Sequence, residues 1–144
     1  MRALIATPSP DFRQTLATKL RESFAISLIG EVADGDAALS LMRSDTWDIA
    51  LLSVRLPVGG GYKFLTKFRA ERPDLCVVML SYDRYAVAVA ACLKAGAKGY
   101  VRRDTLDLAL VPSVQAALSG DVYPSREVAK WLRTKEGADW QSGV

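Results

Sequence analysis

Ile49-Ala50-Leu51-Leu52, followed by Ser53-Val54-Arg55-Leu56-Pro57, is the stretch that decides the fold. A strand with one face in water alternates apolar and polar residues, whereas a strand covered on both faces is apolar throughout. The four-residue run therefore predicts a buried strand that ends at Ser53. Four similar runs lie to either side: Ala3-Leu4-Ile5-Ala6, Ile26-Ser27-Leu28-Ile29, Cys76-Val77-Val78-Met79-Leu80 and the short Gly99-Tyr100-Val101.

Stretches of helical period separate these runs. Phe12, Leu16 and Leu20 recur at i, i+4 and i+8, with Ser9 as the expected N-cap and Pro10 at the first helical position. Ala38, Leu41 and Met42 form a second stripe, and Phe64, Leu65 and Phe68 a third. Ala88 to Ala95 is rich in alanine and stops at Gly96; Leu110, Val114, Ala117 and Leu118 form the last stripe, closed by Gly120. Pro112 falls inside that stripe, so the regular helix is expected to begin near it or to bend there. Strands alternating with helices imply a parallel sheet with helices on both faces. The expected fold is α/β, a flavodoxin-like doubly wound (βα)5 with a five-stranded parallel sheet in the order 2-1-3-4-5. Sites in such folds lie beyond the carboxyl ends of the strands. Residues 1–121 are expected to form this domain. Residues 122–144 carry Val128, Trp131 and Leu132 at helical spacing, then a tail without period, and are expected to be a linker helix and tail.

Composition bounds the chemistry. The chain has 144 residues, half of them hydrophobic and 24% charged, which suits one folded domain of roughly 150 residues. No apolar run approaches the roughly 20 residues of a membrane span, and the opening MRALIATPSP is too short for a signal peptide. No membrane and a cytoplasmic setting are expected, with Cys76 and Cys92 as reduced core thiols. There is no histidine, which removes Ser–His and Cys–His nucleophile pairs, His-ligated metals and phosphohistidine. A net charge of +3 does not by itself argue for nucleic acid.

At the strand ends the sequence resembles a family, the receiver domains of two-component response regulators, nearest the NarL type. The resemblance runs from about Arg2 to Val128. It is carried by Gly30-Glu31-Val32-Ala33-Asp34-Gly35, by Val54-Arg55-Leu56-Pro57 with Gly61 four residues on, by Ala95-Gly96-Ala97-Lys98-Gly99-Tyr100, and by Tyr123-Pro124-Ser125-Arg126-Glu127-Val128. It implies an aspartate that accepts phosphate at the end of strand three, magnesium held by that aspartate and an acidic pair after strand one, a Ser or Thr, and a Lys. Here the acidic pair aligns with Thr7 and Pro8, the acceptor with Ser53, the Ser/Thr with Ser81 and the Lys with Arg103; Tyr100 matches the family's switch aromatic. Every carboxylate is missing, whereas a hard cation wants charged oxygen ligands. Asp34, Asp36, Asp48 and Asp74 lie near strand starts or in the second loop, with Asp48 and Asp74 expected at the opposite edge. Asp11 alone remains a distant substitute. Ser53 has neither base nor metal to make it an acceptor. Arg103, without its usual anionic partner, is expected to extend to solvent; the alternative is that it bonds hydroxyls and holds an anion.

Other features have ordinary readings. Gly59-Gly60-Gly61 lacks the spacing of a nucleotide loop and reads as a turn. Arg126, Lys130, Arg133 and Lys135 read as a solvated helix face, and Trp131 and Trp140 as covering the linker or contacting a further module. From Tyr85 to Leu93 there is no charge, so part of the fourth helix turns apolar residues outward. The expected function is a non-enzymatic, phosphorylation-independent signalling and interaction module that controls an output such as transcription. No metal or other cofactor is expected. The expected partner is a second copy or another protein, met through the fourth and fifth helices around Val87 and Ala91, with DNA reached only through an output module outside this chain. The alternatives are a small-molecule or anion-binding regulatory domain using Thr7, Ser53, Ser81 and Arg103, and a phosphoacceptor receiver with displaced acids.

Overall fold

The computed structural model describes residues 1–57, 60–81 and 86–123, with the side chains of 86–89 left aside. Five strands alternate with five helices: β1 (Arg2–Ala6), α1 (Pro10–Ser23), β2 (Leu28–Val32), α2 (Gly35–Ser44), β3 (Ile49–Ser53), α3 (Gly60–Glu71), β4 (Cys76–Ser81), α4 (Ala86–Lys94), β5 (Gly99–Arg102) and α5 (Leu106–Leu118). A 3-10 turn at Arg103–Thr105 joins β5 to α5. All strand pairs are parallel, in the order β2-β1-β3-β4-β5, as the alternation predicts.

Two apolar layers sandwich the sheet. One gathers Leu4, Ala50, Leu52 and Met79 under Phe64, Leu65 and Phe68 of α3 and Ala38, Leu39 and Met42 of α2. The other gathers Ile5, Ile49, Leu51 and Val78 under Phe12, Leu16 and Leu20 of α1 and Leu110, Val114 and Ala117 of α5. Ile49 to Leu52 are completely buried, which is why that run has no polar residue. Each fully buried Leu or Ile contributes about 1.5–3 kcal/mol, so the two central strands and their covering helices hold the fold.

Helix starts follow the sequence. Ser9 Oγ accepts the Phe12 amide at 3.2 Å with Pro10 at the first position, and Asp34 Oδ1 accepts the Ala37 amide at 2.8 Å at the head of α2. Gly96 (φ 104°) and Gly120 (φ 85°) follow α4 and α5 in the left-handed region, where glycine ends a helix without strain. Beyond α5 the chain returns to the sheet: Tyr123 makes a parallel bridge to Gly99, its amide donating to the Lys98 carbonyl at 3.0 Å.

Four sequence expectations change. β2 begins two residues later than Ile26 and is an edge strand whose residues are half-buried or exposed; its apolar letters cover the end of the sheet rather than its centre. In α2 the buried residue is Leu39, with Leu41 only partly covered. Leu118 of α5 is 41% exposed. α5 does not begin near Pro112, but runs from Leu106 through it. Proline at 112 removes the bond to the Leu108 carbonyl four residues back; Leu108 is 80% exposed, so water can satisfy that oxygen. The segment after Tyr123, with Val128, Trp131, Leu132 and Trp140, lies outside the described residues.

Because the helix carries Pro112 on a half-exposed face, Pro112→Ala should restore the bond and stabilise the fold by about 1–3 kcal/mol. An increased urea midpoint with an unchanged slope is the expected result.

Candidate functional site

Parallel strands all end on one edge, and the register sets which ends are neighbours. Ala6 pairs with Leu52, so Thr7 lies beside Ser53. Ser53 pairs with Leu80, and Ser81 with Arg102. Thr7, Ser53 and Ser81 therefore form a row along the carboxyl edge of β1, β3 and β4, each buried. The ladder continues past the strands: the Thr7 amide donates to Val32 O at 3.2 Å and the Val54 amide to Leu80 O at 2.8 Å. Pro8 is exposed and turns the chain from β1 into α1.

α3 presses against this row through a glycine. The Gly61 amide donates to Val54 O at 2.7 Å, and a Cβ at Gly61 would lie 2.1 Å from the Ser53 carbonyl oxygen. The close approach explains Gly61 of Gly59-Gly60-Gly61; Gly60 has a φ of 77°, and Gly59 lies outside the described residues. Gly61 thus makes room for a backbone carbonyl.

Two guanidiniums border the site. Arg13 of α1 donates to the Thr7 carbonyl at 2.6 Å. Arg103 does not simply extend to solvent: it is half-buried, with its guanidinium carbon 4.3 Å from the centre of the Phe12 ring. The planar cation is attracted to the negative face of the aromatic ring. Its neighbour Arg102, at the end of β5, is buried and pairs with Asp104, its Nε donating to Oδ1 at 3.0 Å. The sequence marked Phe12 only as core, and neither contact has a spacing signature.

None of the described acids belongs to the row itself. Asp48 and Asp74 precede β3 and β4 at the opposite edge, where Asp48 accepts the Arg2 amide at 2.7 Å. Asp34 caps α2, while Asp36 and Asp11 are exposed. Among the described residues no three His, Cys, Asp or Glu side chains are grouped to hold a metal ion. Tyr100 is fully buried in the layer with Phe64 and Met79. Cys92 is buried, and loss of solvent pushes its thiol up to about 11. Cys76 is only half-buried and donates to Ala117 O at 3.2 Å, so it is less of a core residue than expected. Ala91 is half-buried, and the side chain of Val87 lies outside the described residues, as do Arg126, Lys130, Arg133 and Lys135.

Comparison with known proteins then decides the family, for the model of the response regulator receiver domain matches residues 3–114. The chain belongs to the response regulator receiver domain family. It is 30% identical over 123 residues to a glycerol metabolism activator of Pseudomonas putida, covering 85% of this chain and 56% of that one. It is 29% identical over 121 residues to a probable transcriptional regulatory protein NarL of Mycobacterium tuberculosis, covering 83% and 56%. The receiver thus spans a little over half the length of these relatives. In fold it superposes on RcsB, from a structure of two dimers on two parallel DNAs, with a TM-score of 0.86, 17% identity and coverage of 95% and 69%. Receiver domains are signalling modules of two-component systems. Among the described residues no helix is long and apolar enough to cross a membrane.

The family implies magnesium, and the described side chains of the row do not suit it. Hydroxyls of Thr7 and Ser53 and the ring of Pro8 offer no carboxylate to a hard divalent ion. Clustered carboxylates would raise one another's pKa values in a partly buried site; this receiver's row of hydroxyls carries no such repulsion.

The carbonyl cradle gives a direct test. Gly61→Ala forces a methyl group onto the Ser53 backbone, and unfolding experiments should show a loss of about 2 kcal/mol or more.

Proposed function

We propose that this receiver domain works without aspartyl phosphate, as a protein-interaction module that controls an output such as transcription. The observation that carries the reading is the buried row Thr7, Ser53 and Ser81 at the strand ends, with Arg13 fastened to the Thr7 carbonyl. Reading Thr7 and Pro8 at the acidic pair and Ser53 at the acceptor leaves no charged oxygen to bind magnesium or attack a phosphodonor. A serine hydroxyl would need a base and a metal to accept phosphate, and the described acids cap helices, face solvent or sit at the far edge of the sheet. Ser81 and Arg103 then keep the family's places without its chemistry, and Tyr100 serves as a packed strand residue.

Incubation with millimolar magnesium and acetyl phosphate should leave the intact mass of the protein unchanged. A phosphate adduct on Ser53, or on an aspartate near β3, would overturn the reading.

The output side of the reading rests on surface chemistry. Between Asp107 and Asp121 α5 carries no charge, and Leu108, Leu118 and Val122 are exposed. α4 has none from Ala86 to Leu93. Exposed apolar residues on uncharged helices suit a contact site, and RcsB, which shares the fold, is seen as dimers on DNA. We assign the contact to a second copy or a protein partner, with DNA reached through a further module. Val87→Glu or Ala91→Glu should shift the sedimentation coefficient to that of the monomer, and a wild-type protein that is monomeric at high micromolar concentration and without a partner would refute it.

A further inference from the structure

The start of α5 is held in an unusual way. Thr105, at its N-cap, makes no side-chain capping bond to the helix, and Arg102 caps the preceding 3-10 turn no better. The Thr105 hydroxyl donates backward to the Arg102 carbonyl at 3.3 Å instead. An uncapped helix start takes its position from other contacts. Here those contacts reach across to α1. Arg103 opens the 3-10 turn and stacks on Phe12 in the first turn of α1. One α1 turn beyond Thr15, Lys19 pairs with Asp107 in the first turn of α5. Between the two ties lies a cleft of about 210 Å³, lined by Phe12, Thr15, Lys19, Arg103 and Asp107 among others.

The ties differ in strength. Asp107 is 84% exposed, and an ion pair of that kind is screened and contributes little. Phe12 is 4% exposed, so the ring is a fixed platform, and stacking on a desolvated ring strengthens the attraction. The ring also sits directly after the β1–α1 loop, three residues from the Ser9 cap. We infer that Arg103 is a positioning residue that couples the strand-end edge of the domain to the start of α5, through the face of Phe12. The geometry fixes where α5 begins and therefore how Leu108, two residues after the buried Leu106, is presented. This deepens the interaction reading above, because Leu108 lies on the proposed contact surface; the coupling itself holds whether or not Ser53 accepts phosphate, so either can fail alone.

Amide hydrogen exchange on the full chain tests it, with Leu110 and Val111 reporting on α5 and Leu51 on the central strand. Arg103→Ala should speed exchange at Leu110 and Val111 by about tenfold while Leu51 stays unchanged. In a Phe12→Leu background, which keeps an apolar side chain on the core, Arg103→Ala should change those rates by less than about twofold, the sign of a shared contact. Arg103→Lys should recover only part of the protection, since an ammonium lacks the flat stacking face. Unchanged α5 rates in Arg103→Ala, equal acceleration at Leu51, or the full effect persisting without the Phe12 ring would each overturn the inference.

Discussion

The parallel pairing of β1 with β3 is the constraint on which the rest depends. Both strands are buried on both faces, so each needs two helical layers, and a parallel connection needs a crossover long enough to hold a helix. Those requirements produce the alternation of short apolar runs and helical stripes. They also produce the site, because parallel strands deliver their last residues to one edge. Thr7, Ser53 and Ser81 share a neighbourhood although 46 and 28 positions separate them in sequence.

The three side chains of that row are neutral. Three short hydroxyl side chains can be buried cheaply when the backbone ladder continues past them, as the Thr7 and Val54 amides show. Among the charged groups described around it, two guanidiniums are set on a carbonyl and on an aromatic face. Arginine suits both tasks, because its flat fork donates in a plane and stacks on its face.

Much of this was legible in the sequence, and the gaps have physical causes. Uninterrupted apolar runs announced β1, β3 and β4, whose burial on both faces leaves no room for polar residues. β2 was misplaced by two residues because an edge strand is only half covered, so its apolar and polar letters do not mark its limits. α5 starts at Leu106, well before the Pro112 at which the sequence sets its start or a bend, since sequence alone does not show that the orphaned carbonyl belongs to the exposed Leu108. At the site, Thr7, Ser53 and Ser81 follow from strand ends plus topology. Arg103 was set toward solvent because its partner Phe12 sits 91 positions away and carries the periodicity of a core residue.

The return of the chain at Tyr123 has a consequence for solubility. An open sheet has two rims whose unpaired amides and carbonyls invite a strand from another molecule, and natural proteins blunt such rims. On the β5 rim Tyr123 occupies the Lys98 carbonyl and the Tyr100 amide beside a strand of only four residues. The β2 rim carries the exposed carboxylate of Glu31, whose like charge repels an approaching copy in register. One rim is covered in part by backbone pairing at Tyr123 and the other is guarded by charge, and both disfavour sheet-to-sheet pairing between copies.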